Sequence, residues 1–110
     1  MAGEVVRGEV RLVRFRRPDK QRPALVLTRE SALEFLNTVT IAPITSTIRG
    51  IPTEVVLGVE DGMKSACAVN LDHVQTIPAA ALGRRVALLV PDRMSQVCIA
   101  LAFALGCGGS

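Results

Sequence analysis

A chain of 110 residues suits one compact domain and leaves no room for a second. Hydrophobic residues make up 49%, enough for a real core, which argues against a disordered chain. The net charge of +3 is modest, but residues 1–29 hold eight basic residues against Glu4, Glu9 and Asp19, giving +5 there and −2 for the remainder. A basic block of this kind suits a phosphate backbone or an acidic peptide, or simply a solvated strand face. No apolar run reaches the roughly 18 residues of a membrane span, and the opening MAGEVVRGEV lacks an apolar signal core, so a cytoplasmic protein is expected.

Taken in chain order, the pattern reads as short strands closed by one helix. Residues 5–16 form the first strand: Val10 and Leu12 point one way, then Val13 and Phe15 take over the apolar alternation, a phase slip that predicts a bulge. Residues 17–21 are a polar turn, and 23–27 a buried strand with Pro23 at its start, where no ladder donor is lost. Residues 31–35 suit a helical turn. Strands follow at 39–44, 53–57 and 66–71, with a turn at Glu60-Asp61-Gly62 between the last two. A second helical turn is expected at 78–82 and a sixth strand at 86–90.

After Pro91 the spacing predicts a helix that Asp92 can cap, with Met94, Val97, Cys98, Leu101 and Leu105 in one apolar stripe. Ile99 and Phe103 sit on the opposite face, which predicts burial on two sides, by a second subunit or by loops of the same chain. Phe15, Phe35 and Phe103 all fit core positions. Cys67, Cys98 and Cys107 lack metal-type spacing and read as reduced thiols, Cys98 as a small buried residue, while Cys107-Gly108-Gly109-Ser110 reads as a frayed tail.

Several catalytic solutions are missing from the sequence. One histidine, His73, excludes a two-histidine acid–base pair and reads as structural or exposed. There is no phosphate loop ending in Lys-Ser/Thr, no metalloprotease helix motif and no cysteine pair at zinc spacing, so neither metal nor cofactor is expected. With no Trp or Tyr, a stacking platform for bases is poorly supported.

Three segments are informative together. Residues 7–10, RGEV, followed by 21–27, QRPALVL, resemble the Arg-Gly-Glu-Val-Trp strand and Arg-Pro strand that open the MazF/PemK family of toxins. Residues 39–55, VTIAPITSTIRGIPTEV, resemble that family's central segment, and 68–77, AVNLDHVQTI, its Val-Asn-Leu-Asp strand. Order and spacing agree over about residues 6–106. The resemblance implies a mainly β fold with small helices, an SH3-like twisted barrel of five or six strands with a C-terminal α-helix, paired as a homodimer. It implies a toxin endoribonuclease that cuts single-stranded RNA at short motifs by attack of the 2′-hydroxyl, without a metal, under the control of a cognate antitoxin.

The resemblance also assigns residues. The family's catalytic arginine falls on Arg22, its catalytic threonine on Thr45, and a carboxylate used in some members on Asp72. The RNA-binding set expected beside them is Arg14, Arg16, Arg17, Lys20, Gln21, Ser46, Thr47, Arg49 and Asn70. The chemistry is sensible on its own terms. A guanidinium meets two nonbridging oxygens of a phosphorane with parallel bonds at any physiological pH, and a threonine hydroxyl donates one more. Asp72 would accept the 2′-proton or orient Arg22. Two departures touch the RNA groove: the loop between the first two strands is short, and Arg11 stands where the family has Trp, so the cleavage motif does not carry over. Related gyrase-poisoning toxins share the barrel but rely on an aromatic tail, whereas this sequence closes Leu105-Gly106-Cys107-Gly108-Gly109-Ser110. A catalytically inactive RNA-binding barrel is the other alternative, opposed by the presence of both Arg22 and Thr45.

Overall fold

The structure is a computed structural model that describes residues 5–14, 21–33, 35 and 37–107. Among the described residues, seven strands and two α-helices run in the order β1 (Glu9–Arg14), β2 (Gln21–Val26), α1 (Glu30–Leu33), β3 (Thr38–Thr45), β4 (Glu54–Leu57), β5 (Cys67–Asn70), β6 (Gln75–Pro78), β7 (Leu82–Leu88) and α2 (Pro91–Leu105). Short 3-10 turns lie at Val59–Asp61, Leu71–His73 and Ala79–Ala81. The described part of the expected turn at 17–21 is Gln21 alone, which is the first residue of β2.

All the pairings are antiparallel, in the order β4-β5-β3-β2-β1-β7, with β6 also on β3. The eight-residue β3 explains the bend of the sheet. Its first half pairs β6, from Thr38 opposite Pro78 to Ile41 opposite Gln75, and its last two residues pair β5, Thr45 opposite Ala68. The 3-10 turn Leu71–His73 lets one chain segment serve the same strand twice. The expected mainly β fold with a terminal helix is the one observed, but the strands form an open, bent sheet with β4 and β7 at its ends rather than a closed ring.

Both faces of the sheet are covered, which is why β1 carries apolar residues in two phases. Val10, Leu25, Ile44, Val69 and Leu71 pack with Met94, Val97 and Ala100 of α2, while Val13, Ala24, Val26, Val39, Ile41 and Ile77 pack on the other side with Leu33 of α1. The phase slip does not mark a bulge in β1, which runs in unbroken register with β2 from Val10 to Arg14; the register shifts against β7, at Val10/Arg11 and Arg11/Val13, place the extra residues on β7. Burying Met94 and Val97 contributes about 1.5–3 kcal/mol each and fixes α2 on the sheet.

The differences from expectation have local causes. β1 begins at Glu9, because Gly8 turns the chain with φ 94°. β6 escapes notice because Ile77 is its one buried side chain. β7 starts at Leu82 rather than at residue 86, its Gly83-Arg84-Arg85 lacking any apolar signal. Val90, not Asp92, caps α2, with Pro91 at the first helical position, where a missing N–H costs nothing; Asp92 sits in the first turn, favourably placed for the helix dipole. Cys98 is exposed rather than buried, since the inward stripe is Met94, Val97 and Ala100. Phe35 and Phe103 are exposed, not core, and Phe15 lies outside the described residues. No described helix is long and apolar enough to cross a membrane.

Candidate active site

β1 and β3 end, and β2, β5 and β7 begin, at one edge of the sheet. There the larger core runs out into an open cleft of about 600 Å³. Its apolar floor includes Leu12, Pro23, Ile44, Met63, Cys67 and Val86, and its rim carries Arg22, Thr45, Ser46, Lys64, Ser65 and Arg84. Burial, and next the charge of Asp61, push the Cys67 thiol upward, so it sits there as a neutral apolar group.

Arg22 is the second residue of β2 and Thr45 the last of β3. Ala24 faces Pro43 across these strands, and continuing that register by two residues sets Arg22 opposite Thr45. Residues far apart in sequence thus line one cleft because β2 starts where β3 ends. The Thr45 Oγ1 accepts the Thr47 N–H at 3.1 Å, which leaves its own O–H to donate to a ligand. Arg22 is exposed, and none of the ion pairs among the described residues involves it.

Of the other expected residues, Ser46 lines the cleft, and Arg14 and Gln21 are exposed register partners at the same end of the sheet. Thr47 and Arg49 lie on the exposed chain that leaves Thr45, pinned where the Arg49 and Gly50 N–H groups donate to Glu54 at 2.9 and 3.0 Å. Arg16, Arg17 and Lys20 lie outside the described residues.

Asp72 and Asn70 are not brought to the cleft lining. Ala68 is the partner of Thr45, and from there β5 runs on to Asn70 before the 3-10 turn that carries Asp72. The Asp72 carboxylate accepts the Thr53 hydroxyl at 2.6 Å, and the Asn70 side chain accepts the Asp72 N–H at 2.9 Å. His73 is exposed on the same 3-10 turn.

The basic block proves to be divided in purpose. Arg7 donates to the Leu27 carbonyl at 3.0 Å and Arg29 to Ser31 at 3.1 Å. Arg11 and Arg85 flank Glu9, which is only 2% exposed, at 2.9 and 2.7 Å. Burial opposes the charged form of Glu9, but the Val6 N–H, Arg85 and Arg11 outweigh it and hold the carboxyl below its usual range. Lys64 and Arg84 come from outside the block and went unnoticed; the doublet Arg84-Arg85 was the available signal. Among the described residues no group of three His, Cys, Asp or Glu side chains comes together.

The end of the sheet thus gathers arginine, lysine and hydroxyl groups around an apolar floor, with no carboxylate in the lining among the described residues, a chemistry that suits an anionic group such as a phosphodiester. The chain belongs to the PemK-like, MazF-like toxins of type II toxin–antitoxin systems, whose family model matches residues 6–105. It is 43% identical over 88 residues to the endoribonuclease MazF3 of Mycobacterium tuberculosis, covering 80% of this chain and 82% of that protein. Among solved structures it is similar to the M. tuberculosis toxin MazF-mt6, with a TM-score of 0.81 and 36% identity over 89% of this chain and 96% of that one. A mycobacterial endoribonuclease in complex with its cognate antitoxin superimposes with a TM-score of 0.83 at 28% identity, covering 93% and 95%. The protein is therefore a toxin of the MazF endoribonuclease kind.

Proposed function

We propose that this endoribonuclease cuts single-stranded RNA, mRNA above all, at short motifs by attack of a 2′-hydroxyl on the adjacent phosphate, with Arg22 and Thr45 as the catalytic residues. The observation that carries the reading is that both line one cleft whose lining, among the described residues, has three cationic side chains and no carboxylate. In the reaction the 2′-oxygen forms a bond to phosphorus, the 5′-oxygen leaves with a proton, and a 2′,3′-cyclic phosphate remains. Arg22 meets two nonbridging oxygens as their charge grows, and the Thr45 O–H donates to one of them, together stabilising the phosphorane. This electrostatic role needs no metal. Asp72 acts as a positioning residue: by holding Thr53 it fixes the end of the chain segment that carries Ser46, Thr47 and Arg49.

The protein works in the cytoplasm as a homodimer held by an antitoxin. Ile99 and Phe103 on α2 are 70% and 62% exposed, an apolar face that a second copy would cover. The basic cleft end, including Arg14 and Arg22, suits an acidic, partly apolar antitoxin segment that folds as it binds and competes with RNA. A structural relative solved with its cognate antitoxin supports this part. Incubation with long single-stranded RNA in EDTA, followed by typing of the new ends, tests the chemistry. Cyclic or 3′-phosphate ends with 5′-hydroxyls are expected; 5′-phosphate ends, or complete inhibition by EDTA, would overturn it.

A further inference from the structure

β7 is irregular in a way that bears on the substrate. Between Val10 and Arg11 of β1 the partner strand moves from Ala87 to Arg85, and between Arg11 and Val13 it moves from Arg85 to Leu82. At each step β7 carries one residue more than β1, so it is bulged twice. A bulge re-aims side chains, and such devices gather beside active sites. The residues that β7 gives to the cleft are Val86 and Arg84, one from each bulged stretch. The close approach that makes this possible is at Gly83, where a Cβ would stand 3.1 Å from the Leu12 carbonyl oxygen.

The two adjacent arginines are thereby separated in purpose. Arg85 is taken up by Glu9, with its Nε 2.7 Å from the carboxylate, whereas Arg84 lines the cleft, where no carboxylate is found in the wall among the described residues. Lys64 reaches the same wall on a turn held on its N-terminal side. Met63 is buried in the cleft floor, and Gly62, at φ +97°, packs so closely on β7 that a Cβ would stand 3.0 Å from that of Ala87. The turn that carries Lys64 thus packs on β7, the strand that carries Arg84.

We propose that Lys64 and Arg84 form a second phosphate subsite, which grips an RNA phosphate neighbouring the one that is cut. The proposal rests on the reading of Arg22 and Thr45 as the cleavage site. β1 lies between β2 and β7, so the backbones that carry Arg22 and Arg84 are two strand spacings apart, about 10 Å. Backbones that far apart leave room for the two side chains to meet different phosphates of one strand. The second subsite would hold the strand so that the 2′-oxygen, phosphorus and 5′-oxygen lie in line, and would supply affinity independent of base identity.

The test uses full-length protein and an oligonucleotide bearing a cleavage site mapped with the parent enzyme. A 2′-O-methyl group at the attacking position blocks the reaction so that binding can be measured. Arg84→Ala and Lys64→Ala should each weaken binding about tenfold, as expected for a charge-assisted bond at a solvent-accessible site. Each should lower the slope of log K against log salt by about 0.7, the loss of one single-strand phosphate contact. In a series with one uncharged methylphosphonate at a time, one linkage beside the cleaved one should weaken the parent but not the variants. Arg85→Ala serves as the control, expected to lower Tm through Glu9 while leaving the salt slope intact. An unchanged slope in both cleft variants, or methylphosphonate effects that add to the variants at every linkage, would overturn the subsite. Failure of the underlying reading looks different: Arg22→Ala would then cleave the unblocked oligonucleotide at the parent rate.

Discussion

Replacement of Arg22 separates catalysis from folding more cleanly than any other change in this molecule. The side chain is exposed and belongs to none of the ion pairs among the described residues, so Arg22→Ala should shift stability by no more than about 0.5 kcal/mol. Its proposed partner is the charge that appears on the phosphorane. Removal of one preorganised donor aimed at such charge costs about 2.7–4 kcal/mol of transition-state stabilisation, a loss of about 10²–10³ in rate. Arg22→Lys keeps the positive charge but replaces a planar fork with a point donor, so it should recover part of the rate and not all of it. The assay is single-turnover cleavage of a fluorescent RNA with enzyme in excess, which excludes product release from the measured rate, alongside a thermal melt of each variant. A folded Arg22→Ala protein that cuts near the parent rate would refute the assignment. Full rescue by lysine would refute the bidentate geometry while keeping the charge.

Four further outcomes follow from the same geometry. Thr45→Ala should lower the cleavage rate by about two orders of magnitude, whereas Thr45→Ser, which keeps an Oγ both to accept the Thr47 N–H and to donate, should retain most of it; equal losses in the two variants would show that the methyl group matters and not the hydroxyl. The Glu9 and Asp61 carboxyls are both held below their usual range, so the stability they contribute is fully present above the unfolded carboxylate pKa of about 4 and is lost as pH falls through the folded values. Thermal melts should therefore be flat from neutral pH to about 5 and drop below about 4, and Glu9→Gln should flatten that drop; an unchanged acid limb would contradict it. At neutral pH Glu9→Ala should cost about 2–3 kcal/mol, below the full value for breaking a buried pair because Arg85 is half exposed. Phe103→Asp on the exposed face of α2 should weaken self-association at micromolar concentration while leaving the monomer folded, and light scattering that shows only monomer for the parent would remove the dimer from the proposal.

By itself the sequence determined the class of fold and most of the strands, because period-two alternation and the closing helix are local properties that burial imposes on each segment separately. The two-phase pattern of Val10, Leu12 and Val13 already contained the two-sided core, though the bulges fell in β7, and helical spacing set Ile99 and Phe103 on a face apart from the main stripe, which the structure leaves exposed. The motif resemblance also placed Arg22 and Thr45 in one site, but only the antiparallel register of β2 and β3 shows why they meet. Tertiary structure decided what each charge is for. Arg7, Arg11, Arg22 and Arg85 look alike along the chain, yet Arg7 serves the Leu27 carbonyl, Arg11 and Arg85 neutralise a buried glutamate, and Arg22 faces the cleft. Asp72 was carried past the cleft by the onward run of β5 and is held instead by Thr53. Lys64 and Arg84 entered it because a turn packs on a doubly bulged edge strand. A charged side chain takes its role from the partner within reach of its tip, and that partner is set by strand register and bulges across the sheet, which no local pattern encodes.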